Sequence, residues 1–565
     1  MLQFDDAKEQ SRLGELRASE AEALAQTLSI KYSLPYIDLT KFAINTDALR
    51  IIPEDEARAA DLAAFKLSGR QLYLVVRAPA NPKTQTIIDD LKEKNYLLNI
   101  YLGSEASLAR AWDRYKEISH STRTEAGVID ISSGDIKRFI EEIKDLGDLK
   151  KAFDQEGGFA LKEGGISNLL EIVLAGSLIT LASDIHIEPQ EKEVRMRYRL
   201  DGVLHDITYF DRRLYNQILS RVKLVSGLKL NTKKSAQDGR FSIRLADTEI
   251  EIRTSILPGA YGESIVLRIL NPETLEIGFD TLGIEPVLFK IVEQEISKPN
   301  GLVLLTGPTG SGKTTTLYTF LRQVSTSENK IITIEDPIEY HLKGVNQTQV
   351  DAKKDYTFLS GLRSALRQDP DIIMVGEIRD AETAGIAINS SLTGHLVFST
   401  LHTNNAAGTI PRLIDLGINP KIIDSALNIA LAQRLVRKLC EQCRLAGEPT
   451  GEERQLLESI VTSIKQKRPD LNRPEFKQIW RPAPAGCGEC HHTGYRGRVG
   501  IFEGILVDQA ISRLLTANPN EREIKIAAVP QGILDMRQDG VLKVLQGITD
   551  LVELGRVVDI HEEII

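Results

Sequence analysis

Residues 301–316 read GLVLLTGPTGSGKTTT, an apolar run of strand length that opens into a glycine-rich turn and then into a helix start. The turn matches G-x-x-x-x-G-K-[ST] through Gly307, Gly312, Lys313 and Thr314. Gly307, Gly310 and Gly312 let backbone N–H groups close around phosphate oxygens at a helix N-terminus, where the helix dipole adds favourable potential. Pro308, Thr309, Ser311 and Thr315 complete this loop. Lys313 is expected to reach the β- and γ-phosphates, and the Thr314 hydroxyl to complete a Mg2+ shell. A strand, a phosphate loop and a helix in this order imply a nucleoside triphosphate site.

Further downstream the runs IITIED (331–336), IIMVGEI (372–378) and LVFSTLH (396–402) alternate with helical stretches. That alternation predicts a mostly parallel sheet wrapped by helices, an α/β fold. Strands of such a sheet gather ligands at their carboxyl ends, beside the phosphate loop. Glu335 and Asp336 end the first run, Pro337 stops it and Glu339 lies just beyond. Glu377 ends the second run, departing from an ordinary Walker B strand because Gly376 intervenes and the acid is Glu. Acids at these ends polarise water or hold Mg2+, although Glu339 and Asp380 taken singly read equally well as solvated strand-end acids. His395 and His402 bracket the third run. His402, at the carboxyl end, reads as a sensor of the γ-phosphate, and His395 as a sensor or an edge residue alike.

At 565 residues the chain is expected to form two to four domains. Its 42% hydrophobic and 26% charged residues exclude wholesale disorder and fibrous repeats, and a net charge of -9 leaves no global basic field, so no nucleic-acid partner is expected. MLQFDDAKEQ at the N-terminus lacks the order of a secretory signal. The longest apolar stretches, such as 171–183, fall short of the roughly 20 residues that span a bilayer. A cytoplasmic chain is expected, with membrane association only peripheral and through a partner.

Residues 1–118 read as a small α/β unit, with helical periodicity at 12–29 and 84–95 and strand candidates at 34–39 and 71–78. Residues 119–165 turn polar and glycine-punctuated, with one amphipathic helix near 135–153, and read as a mobile linker. Residues 166–280 open with a helix (166–182), and segments at 193–202, 240–257 and 264–270 read as antiparallel strands. The nucleotide unit takes 281–565. Arg240, Arg253 and Arg268 in the second unit have no evident local acidic partner. Arginine supplied across a domain or subunit boundary stabilises a transferring phosphoryl group, while surface salt bridging is the competing role of each.

All four cysteines fall in two C-x-x-C pairs, Cys440 with Cys443 and Cys487 with Cys490. Each pair can hold one side of a tetrahedral ion, so a zinc subdomain is expected at about 436–495, with a helical insert near 451–468. His491 and His492 stand as alternative ligands.

With GPTGSGKTTT, TIEDPIEY (333–340), RQDPDIIMVGEIRD (367–380), TGHLVFSTLHTN (393–404), SDIHIEP (183–189) and the four cysteines in place, residues 165–565 closely resemble the type II secretion/type IV pilus assembly ATPase family, the GspE/PilB-like secretion ATPases. The resemblance implies an α/β multidomain chain: a small N-terminal α/β domain, a PAS-like α+β domain, and a RecA-like P-loop ATPase domain with a zinc-binding tetracysteine subdomain. It further implies a homohexameric ring that hydrolyses ATP with Mg2+ and passes rotation to an inner-membrane platform protein. By the same resemblance Lys313 and Thr314 hold phosphate and Mg2+, and Glu377 takes the Walker B role. Glu335 activates water, with Glu339 as competitor, and one of Arg240, Arg253 and Arg268 reaches the γ-phosphate. The cysteine pairs favour assembly or export motors over retraction motors. The stretch 11–29 is similar to the opening of modules that bind cyclic di-GMP, but it holds one partial copy where two spaced repeats are usual. A docking role for 1–118, toward a membrane-bound assembly protein, is therefore expected in place of a cyclic di-GMP site.

The leading reading is an ATP-driven motor for type IV pilus assembly or type II protein secretion. Two other classes compete with it. A nucleic-acid translocase is disfavoured by the acidic balance and the lack of base-stacking aromatic patches. A non-hydrolysing nucleotide-binding adaptor is disfavoured by Lys313, Glu335, Glu377 and His402 together.

Overall fold

The computed structural model describes residues 21–117, 128–130, 146–152 and 166–561, apart from breaks at 40–41, 43, 50, 69–70, 94–95, 246–247, 273–276, 352–353 and 472–477. In the first unit Leu62–Ser68 and Gln71–Val76 pair antiparallel, and helix Pro82–Glu93 then crosses over to bring Leu97–Leu102 in parallel. The periodicities at 71–78 and 84–95 thus correspond to a strand and a helix. The run at 34–39 meets the sheet only through a bridge between Tyr36 and Leu102, because Pro35 has no N–H to continue a ladder. The expected helix at 12–29 is present from 21 to 32, and 12–20 lies outside the described residues.

A seven-stranded sheet dominates the second unit. The segment 240–257 is a hairpin of Gln237–Leu245 and Thr248–Gly259, followed by Gly262–Leu270, Asp184–Pro189, Val194–Leu200 and Val203–Phe210, all antiparallel. Helices Ile166–Ile179 and Arg212–Val225 supply the other layer of the core. Part of the expected linker belongs here instead. Val128–Asp130 pairs parallel with the edge strand Gln237–Leu245, and helix Leu146–Ala152 buries Leu149 in the same core, because an open sheet edge and an apolar surface were both available to it. The rest of 119–165 lies outside the described residues.

The third unit is built on seven strands: β1 (Gly301–Thr306), β2 (Ile331–Glu335), β3 (Asn346–Gln349), β4 (Ile372–Val375), β5 (Leu396–Leu401), β6 (Leu427–Leu439) and β7 (Tyr495–Leu506). Their order is β3-β2-β4-β5-β1-β6-β7, parallel except for β7. β1, β2, β4 and β5 are buried along their whole length, which is why they read as unbroken apolar runs and not as alternations. Helix α1 (Lys313–Val324) follows β1 through the phosphate loop. The antiparallel pair β6–β7 carries the cysteines near its far end, with the insert helix Gly451–Lys467 between them. Among the described residues no helix is long and apolar enough to cross a membrane.

Candidate active site

Between the second and third units lies a cleft of ≈ 870 Å³ whose floor is the phosphate loop. Gly307 (φ +144) and Gly312 (φ +88) hold backbone that side chains avoid, and an added Cβ would fall 2.5 Å from Gln433 O at Gly307 and 2.9 Å from Gln433 Nε2 at Gly312. Gln433, buried on β6, accepts from Thr316 Oγ1 at 2.8 Å and so ties α1 to the strand beneath the loop. No side chain caps the start of α1 at Gly312, and the buried Ser311 hydroxyl has no partner among the described residues. Uncapped amides, an orphaned hydroxyl and a cradle that a Cβ would fill suit phosphate oxygens. Pro308, Thr309, Gly310, Thr314 and Thr315 line the same cleft. Lys313 Nζ donates to the carbonyls of Gly307 (2.7 Å) and Pro308 (3.1 Å), and burial pulls its pKa down while Glu377 opposes the shift.

The carboxylates separate into different environments. Glu335, at 2% exposure, accepts from Tyr318 OH, from Thr333 Oγ1 at 2.5 Å and from Gln347 Nε2 at 3.2 Å. Burial raises its pKa against the pull of those three donors. Glu339, with its side chain 32% exposed, pairs with Arg253 at 3.0 Å. Glu377 bonds His402 Nε2 at 3.1 Å and the Arg379 guanidinium. Burial pushes the Glu377 pKa up, but these partners outweigh it and hold the group below its ordinary value. Thr403 N donates to Thr306 Oγ1 at 2.7 Å, so the segment after His402 is fastened to the residue before the phosphate loop. Asp380 caps helix Ala381–Leu392 by accepting from Thr383 N, a structural role. His395 sits at the opposite end of β5, on Ser390 O, and does not line the cleft.

The facing wall comes from the second unit. Cross-strand register places Arg240, Arg253, Arg268, Asp184 and Arg199 in one row over five neighbouring strands. Like charges in a row are costly unless something answers them. Asp184 answers two, bonding Arg268 at 3.1 Å and Arg199 at 3.3 Å, and Arg253 reaches across to Glu339 and to Ile338 O. Arg268 and Arg199 line the cleft. Arg240 does not line this cleft: its side chain is 76% exposed at the row's outer end, 3.8 Å from Glu251. Sequence reasoning passed over Arg199, Asp184 and His186, whose signal was available as charged positions inside SDIHIEP and RYRLDG.

Cys440, Cys443, Cys487 and Cys490 are unpaired thiols whose sulfurs all lie within 4.8 Å of one another. Separations of 3.7 Å (Cys440–Cys487) and 3.8 Å (Cys443–Cys490 and Cys487–Cys490) match the edge of about 3.8 Å expected for a sulfur tetrahedron with Zn–S near 2.3 Å. Burial pushes the Cys490 thiol up, yet N–H groups of Cys487 and Gly494 outweigh it and bring it to about 7. The cluster holds the cysteines alone, so neither His491 nor His492 is called on as a ligand.

A family profile described as Type II/IV secretion system protein matches residues 160–556, and an MshEN domain profile matches 32–122. The type II secretion system protein E of Aeromonas hydrophila is 44% identical over 392 residues, covering 69% of this chain and 75% of that protein. The type IV pilus assembly ATPase PilB of Myxococcus xanthus is 35% identical over 540 residues, covering 95% and 91%. Among solved structures, the Legionella pneumophila ATPase DotB aligns over 69% of this chain and 95% of its own at 23% identity, with a TM-score of 0.47.

Proposed function

This chain belongs to the type II/IV secretion system protein family, as an ATPase of the secretion and pilus-assembly kind, and from that premise we propose how its cleft turns over ATP and what the work drives. The observation that carries the reading is the single cleft in which the phosphate loop, the Glu377–His402 pair and Glu339 face Arg199 and Arg268 of another unit. Lys313 exchanges the carbonyls of Gly307 and Pro308 for phosphate oxygens. Thr314 and Glu377 would hold Mg2+, which when bound would neutralise charge on the β- and γ-phosphate oxygens.

Water attacks the γ-phosphorus, the bond to the β–γ bridging oxygen breaks, and the water's proton passes to a carboxylate. Glu339 suits this role better than Glu335, whose carboxylate is buried and committed to three donors. Arg253 pairs with Glu339 and would release it by turning to the substrate's charge. Arg268 and Arg199, with Asp184 between them, supply positive charge from the second wall, and His402 reports the γ-phosphate to Glu377.

At the coarser scale we place a RecA-like third unit and a PAS-like second unit in a homohexameric ring at the inner face of the cytoplasmic membrane. The ring drives pilin polymerisation or type II secretion through an inner-membrane platform protein. Zinc on the four cysteines and docking by residues 1–118 complete the reading. Glu377→Gln tests its core: phosphate release by the purified chain should fall by about 100-fold with nucleotide still bound. Unchanged turnover would remove Glu377 from the catalytic site, and an absence of phosphate release from the wild-type chain would return it to the class of non-hydrolysing adaptors.

A further inference from the structure

Glu339 sits on the irregular segment between β2 and β3, and a base carried by a loop must be held within about 0.5 Å to act. One of its restraints, Arg253, belongs to the other unit and moves with it. A further restraint is internal. Gln347, on the edge strand β3, donates from Nε2 to Tyr340 O at 3.0 Å and accepts at Oε1 from Leu342 N at 2.7 Å, gripping the backbone just after Glu339 from both directions. The Leu342 N–H fixes which end of the amide is oxygen.

The same Nε2 also reaches Glu335 Oε1 and Tyr318 OH, each at 3.2 Å. Tyr318 OH in turn donates to the other oxygen of Glu335, and its ring meets that of Tyr340 edge to face at 4.7 Å. Tyr318 lies on α1, the helix that begins in the phosphate loop. One side-chain amide therefore joins the loop that carries Glu339 to the helix that holds the phosphates, with the buried Glu335 as the anchor for both.

We propose that Gln347 is a positioning residue for hydrolysis, setting Glu339 against the phosphate loop through Tyr340, Leu342, Tyr318 and Glu335. The proposal rests on Glu339 being the group that activates water. It assigns Glu335 a structural purpose: its carboxylate receives the donors that orient the cluster.

The test is steady-state ATP turnover by the full chain in Gln347→Met, Glu339→Gln and the double variant. Gln347→Met should lower kcat by about 10- to 100-fold with KM within about twofold, because a displaced base slows chemistry without weakening phosphate binding. In the Glu339→Gln background the same change should add no further loss. A wild-type kcat in Glu339→Gln removes Glu339 as the base and the proposal with it. A defective Glu339→Gln combined with an unaffected Gln347→Met, with a loss that multiplies in the double variant, or with a raised KM, overturns the positioning role alone. Should Gln347→Met fail to fold by circular dichroism, Tyr318→Phe decides, since it deletes one hydroxyl and keeps the ring against Tyr340. It should lower kcat at constant KM, and wild-type turnover there overturns the proposal.

Discussion

At Gly312 one methyl group is enough to spoil the phosphate site. The residue stands at φ +88, and its would-be Cβ lies 2.9 Å from Gln433 Nε2, itself in a buried amide. Gly312→Ala should cost about 1–2 kcal/mol in left-handed strain and displace the loop, weakening ATP binding by about tenfold or more in a fluorescent-nucleotide titration. Unchanged affinity would mean that the loop is not shaped from below by Gln433. A second residue writes its role in pH. Glu553 is buried and accepts from Arg437 Nε (2.9 Å), Arg437 Nη2 (2.7 Å) and Arg556 Nη2 (2.6 Å). Burial raises its pKa, but the two guanidiniums outweigh that and hold it below 4.5. A folded-state value below the unfolded one stabilises the fold above pH 4.5, and that contribution is lost as pH falls through the folded value. Glu553→Gln should therefore destabilise by about 3 kcal/mol at pH 7, and the gap to wild type should close in the acid. Denaturant midpoints that stay equally far apart at low pH would contradict this.

Elements differ in how openly the sequence declares them. The buried strands of the parallel sheet announce themselves as apolar runs, and the phosphate loop, Glu377, His402 and the two cysteine pairs are legible because their chemistry is set by spacing within a few residues. Strand Leu62–Ser68, with two alanines and a lysine, carries no such mark and is fixed only by pairing with Gln71–Val76. Gln347 and Tyr318 were illegible for a similar reason: a glutamine on an edge strand and a tyrosine in a helix acquire meaning only when the fold brings them to Glu335. The arginine row was half legible, since its composition showed but only the register tells that Arg240 stands outermost and Arg199 belongs. The tetracysteine element yields its own expectation. Its sulfurs tie the turn after β6 to the approach of β7, where Cys440 N also donates to Gly494 O at 3.0 Å. Metal analysis of protein purified without chelator should find about one zinc per chain, and Cys443→Ser should lose it and lower the melting temperature. Protein that is metal-free and equally stable would dismiss the site.

For the whole molecule, the cleft is walled by units with separate cores, and the polar links described across it are few. Arg253 bonds Glu339 and Ile338 O, and Gly497 N donates to Asp201 Oδ2 at 2.9 Å. Partly exposed links of this kind contribute about 0–1 kcal/mol each, little against the binding of a polyanion. ATP is a polyanion that the phosphate loop would hold from one side and Arg199 and Arg268 would draw toward from the other. Binding should therefore close the cleft and draw the second unit toward the phosphate loop. Hydrogen exchange measured with a non-hydrolysable ATP analogue separates this from binding at the loop alone. Closure requires that amides at 336–342 and at 183–202 slow together with those of 307–316, and that Arg268→Ala lose the protection at 183–202 while keeping it at 307–316. Protection confined to the phosphate loop in the wild-type chain would show that the second unit does not answer to nucleotide, and the arginine row would then need another purpose.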